Sequence, residues 1–256
     1  MKFTEKLLLA LSKPMDIATP KSIEQEWTID NALFFLDQVF PDFQSLIRGK
    51  DVLDFGCGEG YQTAALVKEG ANYCLGVDSN EGRLKKARMV VQNLPQKDRL
   101  EFRSSLDGNL QGKFDIVISQ NSMEHFPAPE EILETMKAAA KPNGLILITF
   151  GPPWLAPYGS HMKFFTSVPW VNILFDEETV MNVRSRFRND GARRYEEVEA
   201  GLNKMTAGKF ERIIKNAGMK VLSRNYNCVK KLNFLGHIPY IRELFINQIN
   251  CILQED

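Results

Sequence analysis

Between residues 51 and 150, short apolar runs alternate with stretches of helical period, and that rhythm leaves few folds open. The apolar runs fall at 51–55, 72–78, 99–103, 114–120 and 143–150. Residues 61–69, 81–94 and 129–140 carry apolar positions at helical spacing. Gly70 and Pro95 close the first two helices, and Pro129 suits the first turn of the third. The strands are apolar on both faces. A strand of that kind needs cover on both sides, so the pattern predicts a doubly wound α/β fold with a mostly parallel sheet.

Outside this stretch the rhythm changes. Residues 29–40 have helical spacing, with Thr28 or Asp30 as cap and Pro41 as stop. Residues 151–201 open with "GPPWLAPYGSHMKFF" and continue through "VPWVNILF" into a charged, helical stretch. This segment reads as an insertion over the carboxyl edge of the sheet, where open α/β sheets bind ligands. Alternation resumes with a helix at 204–218, a strand at 219–227, a short helix at 239–245 and a strand at 246–253. A division follows: a helical lead-in at 1–48, a core at 49–150, an inserted cap at 151–201, and an end at 202–256 that completes the sheet.

Composition narrows the function. Lys+Arg and Asp+Glu both number 32, a formal net charge of zero. That balance argues against a broad basic surface for nucleic acid, although "VRSRFRNDGARR" is a local basic stretch. The four cysteines have no CxxC spacing, so they predict neither a zinc knuckle nor a thioredoxin-like site. Free buried thiols in a reducing cytoplasm fit better. The apolar run at 7–11 is too short for a signal sequence or a membrane span, and reads as an amphipathic helix or an arm.

The stretch "VLDFGCGEGYQTAAL" joins the first strand to the first helix. Its pattern, Asp54-x-Gly56-x-Gly58-x-Gly60, differs from the GxGxxG of dinucleotide folds, and an acid precedes the glycines. A carboxylate there would repel phosphates and suit an ammonium group. The second strand ends in another acid, Asp78, and a carboxylate can accept two hydroxyl protons at once.

Together with "FDIVISQNSMEHF" and "KPNGLILITF", these features resemble the class I S-adenosylmethionine-dependent methyltransferases, of the type 11 kind. The resemblance covers 51–150 and, more loosely, 204–253. It implies a seven-stranded sheet with the last strand antiparallel, and S-adenosyl-L-methionine as cofactor. Asp54, Gly56, Cys57, Gly58 and Gly60 would hold the methionine half. Asp78, with Ser79 beside it, would bond the ribose. Ser105 and Leu106 stand where the family often has an acid facing adenine. Gln120 and Asn121 would lie beside the methionine end.

The acceptor side is less constrained. His161 is expected to take a proton from the acceptor at an unperturbed pKa of about 6.5. His125, in a Glu-His-Phe triplet that also occurs in fatty-acid cyclopropane synthases, is the second candidate, and His237 reads as structural. Trp154, Tyr158 and Trp170, with Phe164 and Phe165, form either a wall of the acceptor pocket or the insertion's own core. The arginines at 184, 186, 188, 193 and 194 read as a solvated helix face or as contacts to an anionic acceptor. The reading favours methyl transfer to a small molecule. A protein or RNA methyltransferase is the alternative, although "QNSM" stands where base N-methyltransferases carry an "NPPY"-like tetrapeptide. A non-catalytic cofactor-binding subunit is another. The glycine spacing disfavours a nicotinamide dehydrogenase.

Overall fold

The structure, a computed structural model, describes residues 1–12, 27–198 and 201–255. The strands are β1 (Asp51–Phe55), β2 (Tyr73–Val77), β3 (Leu100–Arg103), β4 (Phe114–Gln120), β5 (Ala140–Phe150), β6 (Met219–Cys228) and β7 (Ile246–Glu255). They form one sheet in the order β3-β2-β1-β4-β5-β7-β6. Neighbours from β3 to β5 are parallel, and β7 runs antiparallel to both β5 and β6. This is the seven-stranded arrangement that the resemblance implied.

Side-chain alternation explains why both faces are covered. Leu53, Val117, Ile146 and Ile148 pack into one cluster with α6 (Pro129–Ala139) and α9 (Ala207–Asn216). Val52, Ile116, Ile118 and Leu147 point the other way. They meet α2 (Phe34–Val39), α3 (Phe43–Ile47) and α4 (Tyr61–Lys68). Near the β3 edge, α5 (Glu81–Val91) sets Leu84 and Ala87 against Phe102. A fourth cluster belongs to the insertion: Phe165, Val171, Val180 and Tyr195 gather around α7 (Val171–Leu174) and α8 (Glu177–Arg184), together with Leu8 of α1 (Phe3–Leu11).

Four boundaries differ from the sequence reading. At 29–33 the chain makes turns, and only Phe34–Val39 is helical. Asn31 Oδ1 accepts from the Thr28 amide at 2.9 Å, and Asp30 is drawn to Lys68, so neither expected residue caps a helix. β5 begins at Ala140, ahead of 143, and pairs with β4 through an irregularity between Phe114 and Ile116. α9 begins late because Thr206 caps it, accepting from the Lys209 amide at 3.0 Å. The short helix expected at 239–245 is a single tight turn at Arg242–Leu244. All four cysteines are free and buried. Among the described residues, no helix is long and apolar enough to cross a membrane.

Candidate active site

β1 has β2 on one side and β4 on the other, so the strand order reverses around it. A crevice opens at the carboxyl end of such a switch point. Here it is a cleft of about 600 Å3, lined by Asp54, Gly56, Cys57, Gly58, Gly60 and Gln120 from the expected set. Trp27, Ala32, Tyr61, Gln62 and Arg83 also line it, and sequence reasoning missed them. Trp27 and Ala32 come from the segment before β1, which carries no motif. Arg83 follows Asp78 on the first turn of α5, and its closeness to the acid was the available signal.

The loop is bent toward β2 by two bonds, in which the Gly56 and Cys57 amides donate to the Val77 carbonyl at 2.7 and 3.0 Å. Two glycines do different work. Gly60 (φ +78°) sits under Phe102 and Ala87, where a Cβ would come within 2.8 and 2.7 Å of carbon. Gly58 (φ +55°) would meet no protein atom within 4 Å, and it faces the cleft.

Asp54 is 1% exposed. Gln62 Nε2 and Thr63 Oγ1 donate to its two oxygens, each at 2.7 Å. Burial pushes its carboxyl up to about 6, against the pull of the bonds from Thr63 and Gln62, and nearby Asp78 adds to the rise. The acid therefore fixes the start of α4 as well as lining the cleft. Asp78 accepts from the Gly58 amide at 3.0 Å and the Asn80 amide at 2.8 Å, which holds the glycine turn from the side. Burial raises the Cys57 thiol, so it stays protonated and unreactive.

Other expected cofactor contacts lie elsewhere. Ser79 and Ser105 are exposed and, like Asp78, absent from the cleft lining. Leu106 packs against the core and lines a separate hollow beside α6, because an apolar side chain gains more there than in open solvent. Asn121 (φ +49°) points to β7, where its Oδ1 accepts from Gln248 Nε2 at 3.2 Å.

A second chamber of about 300 Å3 adjoins the cleft. His125, Ser160, His161 and Arg184 line it, and Arg83 lines both cavities. The two histidine rings meet edge to face with centroids 5.4 Å apart. His125 Nδ1 lies 2.7 Å from the Gly201 carbonyl, so that nitrogen carries the proton and Nε2 keeps its lone pair. Burial lowers both rings' affinity for a second proton. His161 falls to about 4, with His125 contributing, so its basicity is well below the expected 6.5. His161 Nε2 is buried without a partner.

The aromatics of the insertion line neither cavity, apart from Phe164 in the chamber. Trp154 stacks edge to face on Tyr195 at 4.8 Å within the insertion's core. Tyr158 has Lys163 Nζ 5.0 Å above its ring. Trp170 (φ +55°) donates its amide to the Pro157 carbonyl at 2.6 Å. Trp154 thus packs in the insertion's core, and none of the three lines either cavity. The arginine stretch is also not a uniform solvated face, since Arg184 is 2% exposed and paired through both terminal nitrogens with Asp190.

Sequence reading passed over Glu124, which is 3% exposed. Its Oε1 accepts from the Gly151 amide at 3.2 Å and its carbonyl from the Asn203 amide at 3.0 Å. Asn203 Nδ2 donates in turn to the Met123 and Phe126 carbonyls at 2.7 and 2.8 Å. These bonds clamp the loop after β4 to both ends of the insertion. Burial pushes the Glu124 carboxyl up to about 7. Its signal was its place beside His125, which took the attention.

Several known proteins are similar to this chain. The Ubiquinone biosynthesis O-methyltransferase of Acinetobacter baylyi is 29% identical over 148 residues, 53% of this chain and 61% of that protein. The chain spans about half the length of the curated relatives it matches. An S-adenosylmethionine-dependent methyltransferase from Mesorhizobium loti superposes with a TM-score of 0.56 at 17% identity, covering 89% of this chain and 100% of that one. The magnesium protoporphyrin IX methyltransferase of Synechocystis, solved with bound S-adenosylhomocysteine, gives 0.52 at 16% identity, covering 89% and 81%. At such identities the two structures speak for the fold. A methyltransferase-domain family model matches residues 30–224, so with this sheet order and this glycine cleft the chain belongs to the methyltransferase-domain family, the S-adenosylmethionine-dependent methyltransferases of class I fold.

Proposed function

We propose that this chain methylates a small-molecule acceptor held in the chamber between the cofactor cleft and the insertion. The observation that carries the reading is the pairing of two cavities, about 600 and 300 Å3, that share Arg83. The smaller matches the low end of small-molecule sites and is walled by the insertion. The curated relatives named for ubiquinone biosynthesis are O-methyltransferases, which supports an oxygen acceptor.

The cleft residues fit the cofactor. Gly58 leaves room for a ligand against bare backbone, Gln120 Oε1 is buried without a partner, and Asp54 supplies negative charge in the lining, with Asp78 bonded to the Gly58 amide behind it. When bound, S-adenosylmethionine supplies a methyl group on a positively charged sulfur, and the organic chemistry is its own. The chain's part is to hold the acceptor, exclude water and manage a proton. Of the two histidines, His125 is the better proton acceptor. Its tautomer is set by the Gly201 carbonyl, whereas His161 is held neutral beside it. His161 orders the chamber and offers its unpartnered Nε2 to the acceptor.

A release assay for S-adenosylhomocysteine against phenols, hydroxy acids, sugars and peptides tests the reading. Turnover with a small oxygen acceptor, reduced about 10²–10⁴-fold in His125→Ala with cofactor affinity kept, is the expected outcome. Turnover confined to peptides or RNA would overturn it.

A further inference from the structure

The chamber is unusual in the charge of its walls. Arg83, Arg184 and Arg188 line it with two histidines, and its lining contains no acid. Between them, Met162, Phe164, Val198 and Leu202 make an apolar floor. Arg184 alone is buried, Arg83 is half-buried and Arg188 is exposed, and a cation against an apolar wall is costly to leave unanswered. Two of the three are answered within the fold. Asp190 takes both terminal nitrogens of Arg184, and Arg188 lies over the Phe164 ring at 4.5 Å.

Arg83 differs. Among the described residues, no hydrogen bond or ion pair engages its guanidinium. It rises from the first turn of α5, which Asn80 fixes by accepting from the Arg83 amide at 3.1 Å. Its position at the junction is therefore set by the backbone, and its planar fork is left for a ligand. One more donor is unused: Arg184 Nε is buried without a partner although the rest of its guanidinium is paired. The histidine rings are tilted against each other, so they do not consume each other's polar edges.

We infer that the methyl acceptor carries an anionic group, a carboxylate or a phosphate ester, which Arg83 binds where the two cavities meet, while its apolar body lies on Phe164, Val198 and Leu202. A guanidinium fork pairs with either anion through two parallel hydrogen bonds, which fixes orientation as well as affinity. This rests on reading the chamber as the acceptor site. The anion is the anchor, and the methylated atom is elsewhere on the same molecule.

The test uses the full chain saturated with S-adenosylhomocysteine and followed by protein NMR. The probes are 3-phenylpropionate, phenyl phosphate, 3-phenylpropan-1-ol and 3-phenylpropylamine. The wild type is expected to bind at least one anion tenfold or more tightly than the alcohol, with the amine weakest. The tighter anion identifies the group. Arg83→Met should erase that preference, with S-adenosylhomocysteine affinity changed less than threefold, and Arg83→Lys should retain part of it. Equal binding of anion and alcohol by the wild type would overturn the inference. So would an Arg83→Met variant that loses S-adenosylhomocysteine as much as the anion, because Arg83 would then serve the cofactor. Failure of the wild type to bind S-adenosylhomocysteine would instead bring down the reading of the cleft, and this inference with it.

Discussion

At the residue scale, the glycine loop separates two uses of one amino acid. Gly60 has no room for a Cβ, whereas Gly58 has room that belongs to the cleft. Gly60→Val should therefore lower the melting temperature sharply. Gly58→Val should cost less stability, paying mainly for its left-handed φ, but should abolish S-adenosylhomocysteine binding by calorimetry. Similar losses of fold in both would mean that Gly58 serves only the turn. Glu124 allows a pH test. Its folded carboxyl titrates at about 7, above its ordinary value of 4.5. The folded chain thus binds a proton between those values that the unfolded chain has released, so stability falls as pH rises through the window. Asp54, raised to about 6, works in the same direction. Glu124→Gln keeps an oxygen for the Gly151 amide and cannot ionise. Its unfolding free energy, from denaturant titration, should gain on the wild type from pH 5 to pH 8 by on the order of 2–3 kcal/mol. A constant difference across that range would show that Glu124 is not the titrating group. Single residues of this kind were hardly legible in the sequence. The signal for Asp54 was its place before the glycines, but the depression of His161 depends on burial by segments far along the chain.

At the element scale, 51–150 could be read almost to the residue because most of its strands are apolar on both faces and each helix has a stop or start signal of its own. The cleft was legible for the same reason, since its loop lies between two such elements. The insertion was not. Its helices are short, and its aromatics pack on one another, a pattern that leaves no period to read. What positions it is polar: Asn203 and Glu124 bind the loop after β4 to the insertion's two ends. Asn203→Ala would leave the Met123 and Phe126 carbonyls without their donor, at a cost of about 1–3 kcal/mol. His125 depends on the neighbouring Gly201 carbonyl, so the variant should lose turnover more than S-adenosylhomocysteine affinity. Equal losses would mean that the clamp supports the whole sheet.

At the scale of the whole molecule, the N-terminal segment expected as one lead-in has two destinations. Residues of α2 and α3 cover one face of the sheet, with Leu36, Phe40, Phe43 and Ile47 buried there. α1 instead seats on the insertion, where Leu8 is fully buried beside Val180 and Met181. The contact is polar at its rim. Lys2 Nζ donates to Glu178 at 2.6 Å, Asn182 Nδ2 donates to Glu5 at 2.8 Å, and the Thr4 and Thr179 hydroxyls lie 3.0 Å apart. Sequence periodicity could show that α1 is amphipathic, but not which surface it would cover, since its partners lie 176 and 177 residues further on. The chamber's Arg184 is on α8, the helix that α1 covers. The chamber should therefore loosen when α1 is unseated, while the cleft should not. Leu8→Ala leaves a cavity in the insertion's core and should cost about 2–5 kcal/mol there. Hydrogen exchange is expected to quicken across 171–184, with β1, β4 and the glycine loop still protected and S-adenosylhomocysteine affinity kept. Uniform loss of protection over the sheet would instead make α1 part of the global core, and the two cavities would then stand or fall as one cooperative unit.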